Sequence, residues 1–175
     1  MRYPMTACLL MLCLLAPALA GEPARVDLDS DVPFCLNGLE LGMSSQELAR
    51  LMGPPVRRLN EDMSLYRDNL LVRLREEKVV NLGASGSVWT LSQGSEGVAS
   101  AGMTLEELEQ RLGPPNARYG RPDQNRLAVR IYRASRSDVG IMVMQDQVVG
   151  FLLSEPGMME LTLKERGYVE LSEPR

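Results

Sequence analysis

The stretch Gly42-Met43-Ser44-Ser45-Gln46-Glu47-Leu48-Ala49-Arg50-Leu51-Met52-Gly53-Pro54-Pro55 returns sixty positions later as Gly102-Met103-Thr104-Leu105-Glu106-Glu107-Leu108-Glu109-Gln110-Arg111-Leu112-Gly113-Pro114-Pro115. Each copy spells a short helix with both ends written in. Ser44, or Thr104, stands where a hydroxyl caps the first turn, and Glu47, or Glu107, stands three residues on, where its carboxylate reaches back to the cap's own N–H. Met43 with Leu48, and Met103 with Leu108, occupy the positions of a hydrophobic staple. Gly53 and Gly113 suit a left-handed residue just past the helix, and the Pro-Pro that follows cannot continue it. Leu48, Leu51 and Met52 form one apolar stripe, with Leu105, Leu108 and Leu112 as its counterpart. A helix this short is marginal alone in water, so each copy needs a surface to lie on.

The segments after each Pro-Pro supply one. In the first copy, Met63 to Arg67, Leu70 to Glu76 and Lys78 to Gly83 read as strands, because Val72 and Leu74 alternate with Arg73 and Arg75. Arg67-Asp68-Asn69 and Glu76-Glu77 are polar enough to turn. In the second copy Leu127, Val129 and Ile131 alternate with Ala128, Arg130 and Tyr132, Ile141 and Val143 alternate with Met142 and Met144, and Gln147 to Ser154 closes the meander. Tyr66-Arg67 matches Tyr132-Arg133 and Val79-Val80 matches Val148-Val149, so insertions fall in loops. The expected fold class is α+β: two tandem repeats, each a short helical segment packed on an antiparallel meander of about three strands.

The flanks complete the expected layout. Residues 1–20 carry Arg2, an apolar run from Ala7 to Leu15 and Ala18-Leu19-Ala20, the pattern of a secretory signal peptide cleaved near Ala20. The run is too short to span a bilayer. Residues 21–33 mix charge with Pro and Gly and read as a flexible leader. Repeat module 1 then covers 34–84, a Ser- and Gly-rich linker with one extra strand around Val88-Trp89-Thr90-Leu91 covers 85–101, and module 2 covers 102–155. The C-terminal segment, 156–175, favours a helix from Met158. Trp89 either anchors a partner contact or plugs the space between the modules, and the second account is preferred.

Cleavage removes Arg2, Cys8 and Cys13, which leaves 18 basic against 23 acidic side chains and Cys35 as the one cysteine. An acidic chain is a poor nucleic-acid binder, and a lone cysteine beside Phe34 and Leu36 behaves as a small apolar group. With no histidine anywhere in the chain, Ser-His-Asp and Cys-His sites and the common zinc and copper ligand sets are excluded. Glu106, Glu107 and Glu109 cluster at a helix start, where carboxylates complement the helix dipole without catalysis. The glycines at 83–86 and 94–97 lack phosphate-loop spacing. No catalytic residue, cofactor or metal is therefore expected.

The motif residues Gly42, Met43, Ser44, Glu47, Leu48, Gly53 and Pro54, repeated as Gly102, Met103, Thr104, Glu107, Leu108, Gly113 and Pro114 and each followed by a Tyr-bearing strand, resemble the repeat of the β-lactamase inhibitor protein family. They also resemble the SmpA/OmlA (BamE) outer-membrane assembly modules. The likeness spans roughly 36–154. It implies helices on one face of an antiparallel sheet, and a binding role in place of catalysis. The chain departs from these families in lacking both a lipid-bearing cysteine and paired cysteines within each repeat.

If Val72, Leu74, Ile131, Ile141 and Val143 pack beneath the helices, the opposite face carries, besides Val79, Val148 and Leu152, the seven residues Tyr66, Arg73, Arg75, Arg130, Tyr132, Met142 and Met144. Aromatic, Arg and Met side chains are enriched in protein contact surfaces, so these seven are the expected partner-binding residues. In the second copy, alternation alone does not separate this account from one in which the two sheets pack together or Met142 and Met144 are core under the terminal segment. The expected function is an exported, periplasmic or secreted, non-catalytic module that binds another envelope or secreted protein as inhibitor, immunity factor or assembly partner. The competing expectation is an envelope structural module whose sheet face holds a lipid tail or peptide.

Overall fold

Both copies of the helical motif fold as their residues dictate in the computed structural model, which describes residues 25–172. The expected signal peptide and residues 21–24 lie outside the described residues. In chain order the first half contains β1 (Phe34–Leu36), β2 (Leu39–Glu40), α1 (Ser45–Met52), β3 (Arg57–Arg58), β4 (Met63–Tyr66), β5 (Leu70–Arg75) and β6 (Lys78–Ser85). Then come β7 (Thr90–Gln93), β8 (Glu96–Ser100), α2 (Leu105–Leu112), β9 (Ala117–Arg121), β10 (Gln124–Arg133), β11 (Asp138–Met144), β12 (Gln147–Ser154), α3 (Met158–Glu165) and β13 (Val169–Glu170).

Ser44 Oγ accepts the Glu47 N–H at 3.2 Å while Glu47 Oε2 accepts the Ser44 N–H at 2.9 Å. Thr104 and Glu107 repeat the reciprocal pair at 3.3 and 2.9 Å. Hydrogen bonds from Ser44 and from Thr104 hold both glutamates below the usual carboxylate range. Gly53 and Gly113 end the helices at φ +75° and +73°, and their ψ of −166° and −165° places them in an extended mirror-image region open essentially to glycine alone.

Each helix also stands on a hairpin tip. The Ser45 N–H donates to the Glu77 carbonyl at 2.8 Å, and the Leu105 N–H to the Asp146 carbonyl at 2.9 Å. These are first-turn donors with no partner inside their own helix. Glu76-Glu77 and Gln145-Asp146 all have positive φ, between 50° and 60°, the primed-turn geometry that matches strand twist.

The expected architecture of two separate helix-on-meander repeats is overturned by the way the strands join. Strand β6 pairs antiparallel with β12, from Asn81↔Ser154 to Ser85↔Gly150. One nine-stranded sheet results, ordered β13-β9-β10-β11-β12-β6-β5-β4-β3. The physical reason lies in the edges: two isolated meanders would each expose a long strand with unpaired N–H and C=O groups, and pairing β6 with β12 satisfies both at once.

A second sheet, ordered β2-β1-β7-β8, has four strands. The stretch 85–101, expected as a linker with one strand, supplies its β7–β8 hairpin. Phe34, Leu36, Leu39, Leu91, Val98 and Ala99 from this sheet share a core with Leu48, Leu108 and Leu112 of the helices and with Tyr66, Val72, Leu82, Ile141, Phe151 and Leu153 of the large sheet. The molecule is a mostly β sandwich whose smaller layer is completed by α1 and α2. Cys35 is buried, its Sγ 3.0 Å from Ser92 Oγ.

Residues 25–33 have no regular structure but are tied down: the Val26 N–H donates to the Arg111 carbonyl, Gln93 donates to the Asp27 carbonyl, and the Ser135 N–H donates to the Leu28 carbonyl. Val26 and Leu28 pack on the core. The described part of the expected flexible leader is a strap across the sandwich.

Candidate functional site

The large sheet has a core face and a back face, and register decides which side chain lies on which. Tyr66 pairs with Leu70 and Leu65 with Leu71, so Tyr66 shares the core face with Leu70 and Val72 and is 6% exposed. Ile131 pairs with Gly140, which puts Arg130 beside Ile141 and Tyr132 beside Val139. Arg130 and Tyr132, at 5% and 0% exposure, therefore face the core, while Ile131 faces the back. Of the seven expected contact residues, Tyr66, Arg130 and Tyr132 are buried on the core side, and burial raises the hydroxyl pKa of both tyrosines. Arg73, Arg75, Met142 and Met144 do lie on the back face.

An apolar row crosses that face from strand to strand: Leu65↔Leu71, Leu71↔Gly83, Gly83↔Leu152, Leu152↔Gly140, Gly140↔Ile131 and Ile131↔Ala117. An approximate twofold through the Gly83↔Leu152 pair relates its two ends. Both halves carry a register shift at matching places, Arg73/Leu74 and Met142/Val143.

One end is covered. Helix α3 sets Met159 and Leu163 onto Tyr119, Val129 and Ile131, with Met142 and Leu152 half-buried at its margin. Glu160 on α3 accepts from the Tyr119 hydroxyl and from Arg133, and the Arg133 bond is the main reason its carboxyl sits below the usual range. The helix has Gly157 at its start and no side-chain cap of its own. Asp138, on β11, stands in by accepting the Met159 N–H at 3.2 Å.

Asp138 is 3% exposed, and burial pushes its carboxyl above the ordinary value in spite of this hydrogen bond. An acid whose folded pKa is raised contributes stability that is complete below its unfolded value, 3.8, and that is lost as pH rises through the folded value. Asp138→Asn keeps an acceptor for α3 and removes the titration. The variant should therefore gain on the wild type in urea midpoint as pH climbs from about 4 to about 7, and show no gain near about pH 3.5. A constant difference across that range would contradict the sign.

The other end of the row is open. Met63, Leu65 and Leu71, the counterparts of Val129, Ile131 and Gly140, are half-buried, and among the described residues no helix lies over them. Basic groups frame them. Arg73 Nε lies 3.1 Å from Asp62 Oδ2, and Arg75 Nη1 lies 3.1 Å from Glu155 Oε2. Arg57, opposite Leu65, is exposed. Arg73 is half-buried, whereas the Arg75–Glu155 pair is exposed, and an exposed ion pair is worth roughly 0–1 kcal/mol and exchanges partners readily.

Alternation around Ser64 and Tyr66 was the available signal for Met63 and Leu65. Leu71 alternates with Val72 and Leu74 and so falls on the face of Arg73 and Arg75, a signal masked by the adjacent Leu70. Among the described residues no three His, Cys, Asp or Glu side chains gather as a metal cluster, and no helix is long and apolar enough to cross a membrane.

The sequence matches no family model and no curated protein. Among solved structures the chain is similar to a DUF4309 family protein of Bacillus subtilis, with 16% identity, covering 74% of this chain and 86% of that one at a TM-score of 0.46. It is also similar to a cysteine-rich secretory protein of Staphylococcus aureus, with 13% identity, covering 87% of this chain and 56% of that one at a TM-score of 0.55. The second likeness is one of fold, and the chain spans little more than half that protein's length. Neither is described as a β-lactamase inhibitor protein or a BamE module.

Proposed function

We propose that the protein is an exported, non-catalytic binding module whose open half-face receives an amphipathic helix of another envelope or secreted protein. The carrying observation is the inequality of the two ends of the back face: α3 covers Val129 and Ile131, while Met63, Leu65 and Leu71 at the related positions have no helix over them among the described residues. The chain thus displays on one half the kind of element that fits the other, a short helix with two apolar residues at i and i+4 and an acidic group beside an arginine. Arg57, Arg73 and Arg75 select for carboxylates on the incoming helix.

The test places a photo-crosslinking residue at position 71 in producing cells, with position 161 on the outer side of α3 as the comparison. The expected result is one discrete adduct from position 71, mapping within an amphipathic helix of one exported protein. Leu71→Asp should weaken binding of that helix as a synthetic peptide by about tenfold to a hundredfold, the equivalent of losing one buried leucine contact. Adducts from position 161 as abundant as those from 71, or peptide affinity unchanged in Leu71→Asp, would defeat the proposal.

A further inference from the structure

On the core face, at the edge away from the open half, a cleft of about 630 Å³ separates the end of α2 from β9 and β10. Arg118 and Arg130 form its basic wall, Pro114, Pro115 and Leu171 its apolar wall, and Glu109 reaches in from α2. The β9/β10 register sets the two arginines directly opposite each other. Like charges in that relation are unfavourable unless something lies between them.

Glu109 answers only part of the need. Its Oε1 accepts from Arg130 Nη1 at 2.5 Å, and the Arg130 side chain is 6% exposed. Each guanidinium offers five N–H donors. Among the described residues, Arg118 Nε is buried with no acceptor. Buried donors in native proteins are almost always satisfied.

We infer that this cleft binds a small carboxylate-bearing molecule, its carboxylate between Arg118 and Arg130 and a short apolar body against Pro114, Pro115 and Leu171. Two planar forks side by side match the two oxygens of a carboxylate, and the volume suits a metabolite-sized ligand. Glu109 competes with the ligand for Arg130, and Glu170, which also lines the cleft, disfavours a dianion. The site is separate from the open back face and does not depend on a partner there.

Calorimetric titration of the full chain with hexanoate tests the assignment, with hexanol and inorganic phosphate as comparison probes. Hexanoate should bind saturably at one site, and hexanol and phosphate should not. Arg118→Gln should weaken hexanoate at least tenfold, and Glu109→Gln should tighten it by freeing Arg130. Should Arg130→Gln fail to fold, Arg118→Gln still decides, because that side chain is only half-buried. No saturable hexanoate binding, phosphate binding in its place, or undiminished affinity in Arg118→Gln would overturn the inference.

Discussion

Trp89→Ala is expected to lower the unfolding free energy by about 3–5 kcal/mol, the range for truncating a fully buried tryptophan. Trp89 is 2% exposed and packs in the main core immediately before β7. Its Nε1 donates at 2.7 Å to the carbonyl of Asp68, a residue at φ +57° in the turn between β4 and β5. One side chain therefore fastens the small sheet to the large one. Trp89→Phe separates the two contributions: it keeps most of the apolar burial and strands the Asp68 carbonyl, for a loss of about 1–3 kcal/mol. Urea unfolding followed by far-UV circular dichroism measures both. A loss under about 1 kcal/mol for Trp89→Ala would mean that the β7–β8 hairpin is a peripheral linker and that the sandwich description is wrong.

The second large effect is expected at the seam. Phe151 is fully buried and has Ile141 on one side and Ala84 on the other. Phe151→Ala removes packing from both halves together, at a cost of about 3–5 kcal/mol. Its neighbour Gly150 leaves no room for a side chain, since a Cβ there would lie 2.3 Å from Met142 Cε and 2.5 Å from the Ala84 carbonyl oxygen. The methionine tip can swing away and the backbone oxygen cannot, so Gly150→Ala should cost about 1–3 kcal/mol more than its surroundings suggest. In both variants Trp89 fluorescence and far-UV circular dichroism should report one coincident transition. Two separate transitions in the wild type, with only one moved by Phe151→Ala, would show that the halves fold independently and that the β6–β12 pairing is weak.

Much of the local structure was legible. Ser44 with Glu47 and Thr104 with Glu107 announced the helix starts, the Gly-Pro-Pro runs announced their stops, and the alternation of Val72 and Leu74 with Arg73 and Arg75 assigned β5 to its two faces correctly. The face of Tyr66 was misjudged because it depends on the turn at 67–69, where Asp68 and Asn69 take positive φ and bring Tyr66 opposite Leu70. Ile131 was misjudged for the same kind of reason: the connection between β10 and β11 pairs it with Gly140, so it and Ile141 point to opposite faces. A one-residue change of register inverts every side chain on a strand. The candidate site inherited these errors, keeping Arg73 and Arg75, losing Tyr66, Arg130 and Tyr132 to the core, and missing Leu65 and Leu71.

The sequence by itself determined where helices begin and end and which segments run as strands, since caps, prolines and alternation act over a few neighbouring residues. Only the tertiary structure decided that β6 and β12 join the meanders into one sheet, that residues 34–40 and 90–100 form a second layer, and that α3 covers one end of the back face and not the other. Alternation tells that a strand has two faces; which face is inside depends on contacts between residues far apart in the chain, and those are settled when the whole core is buried at once.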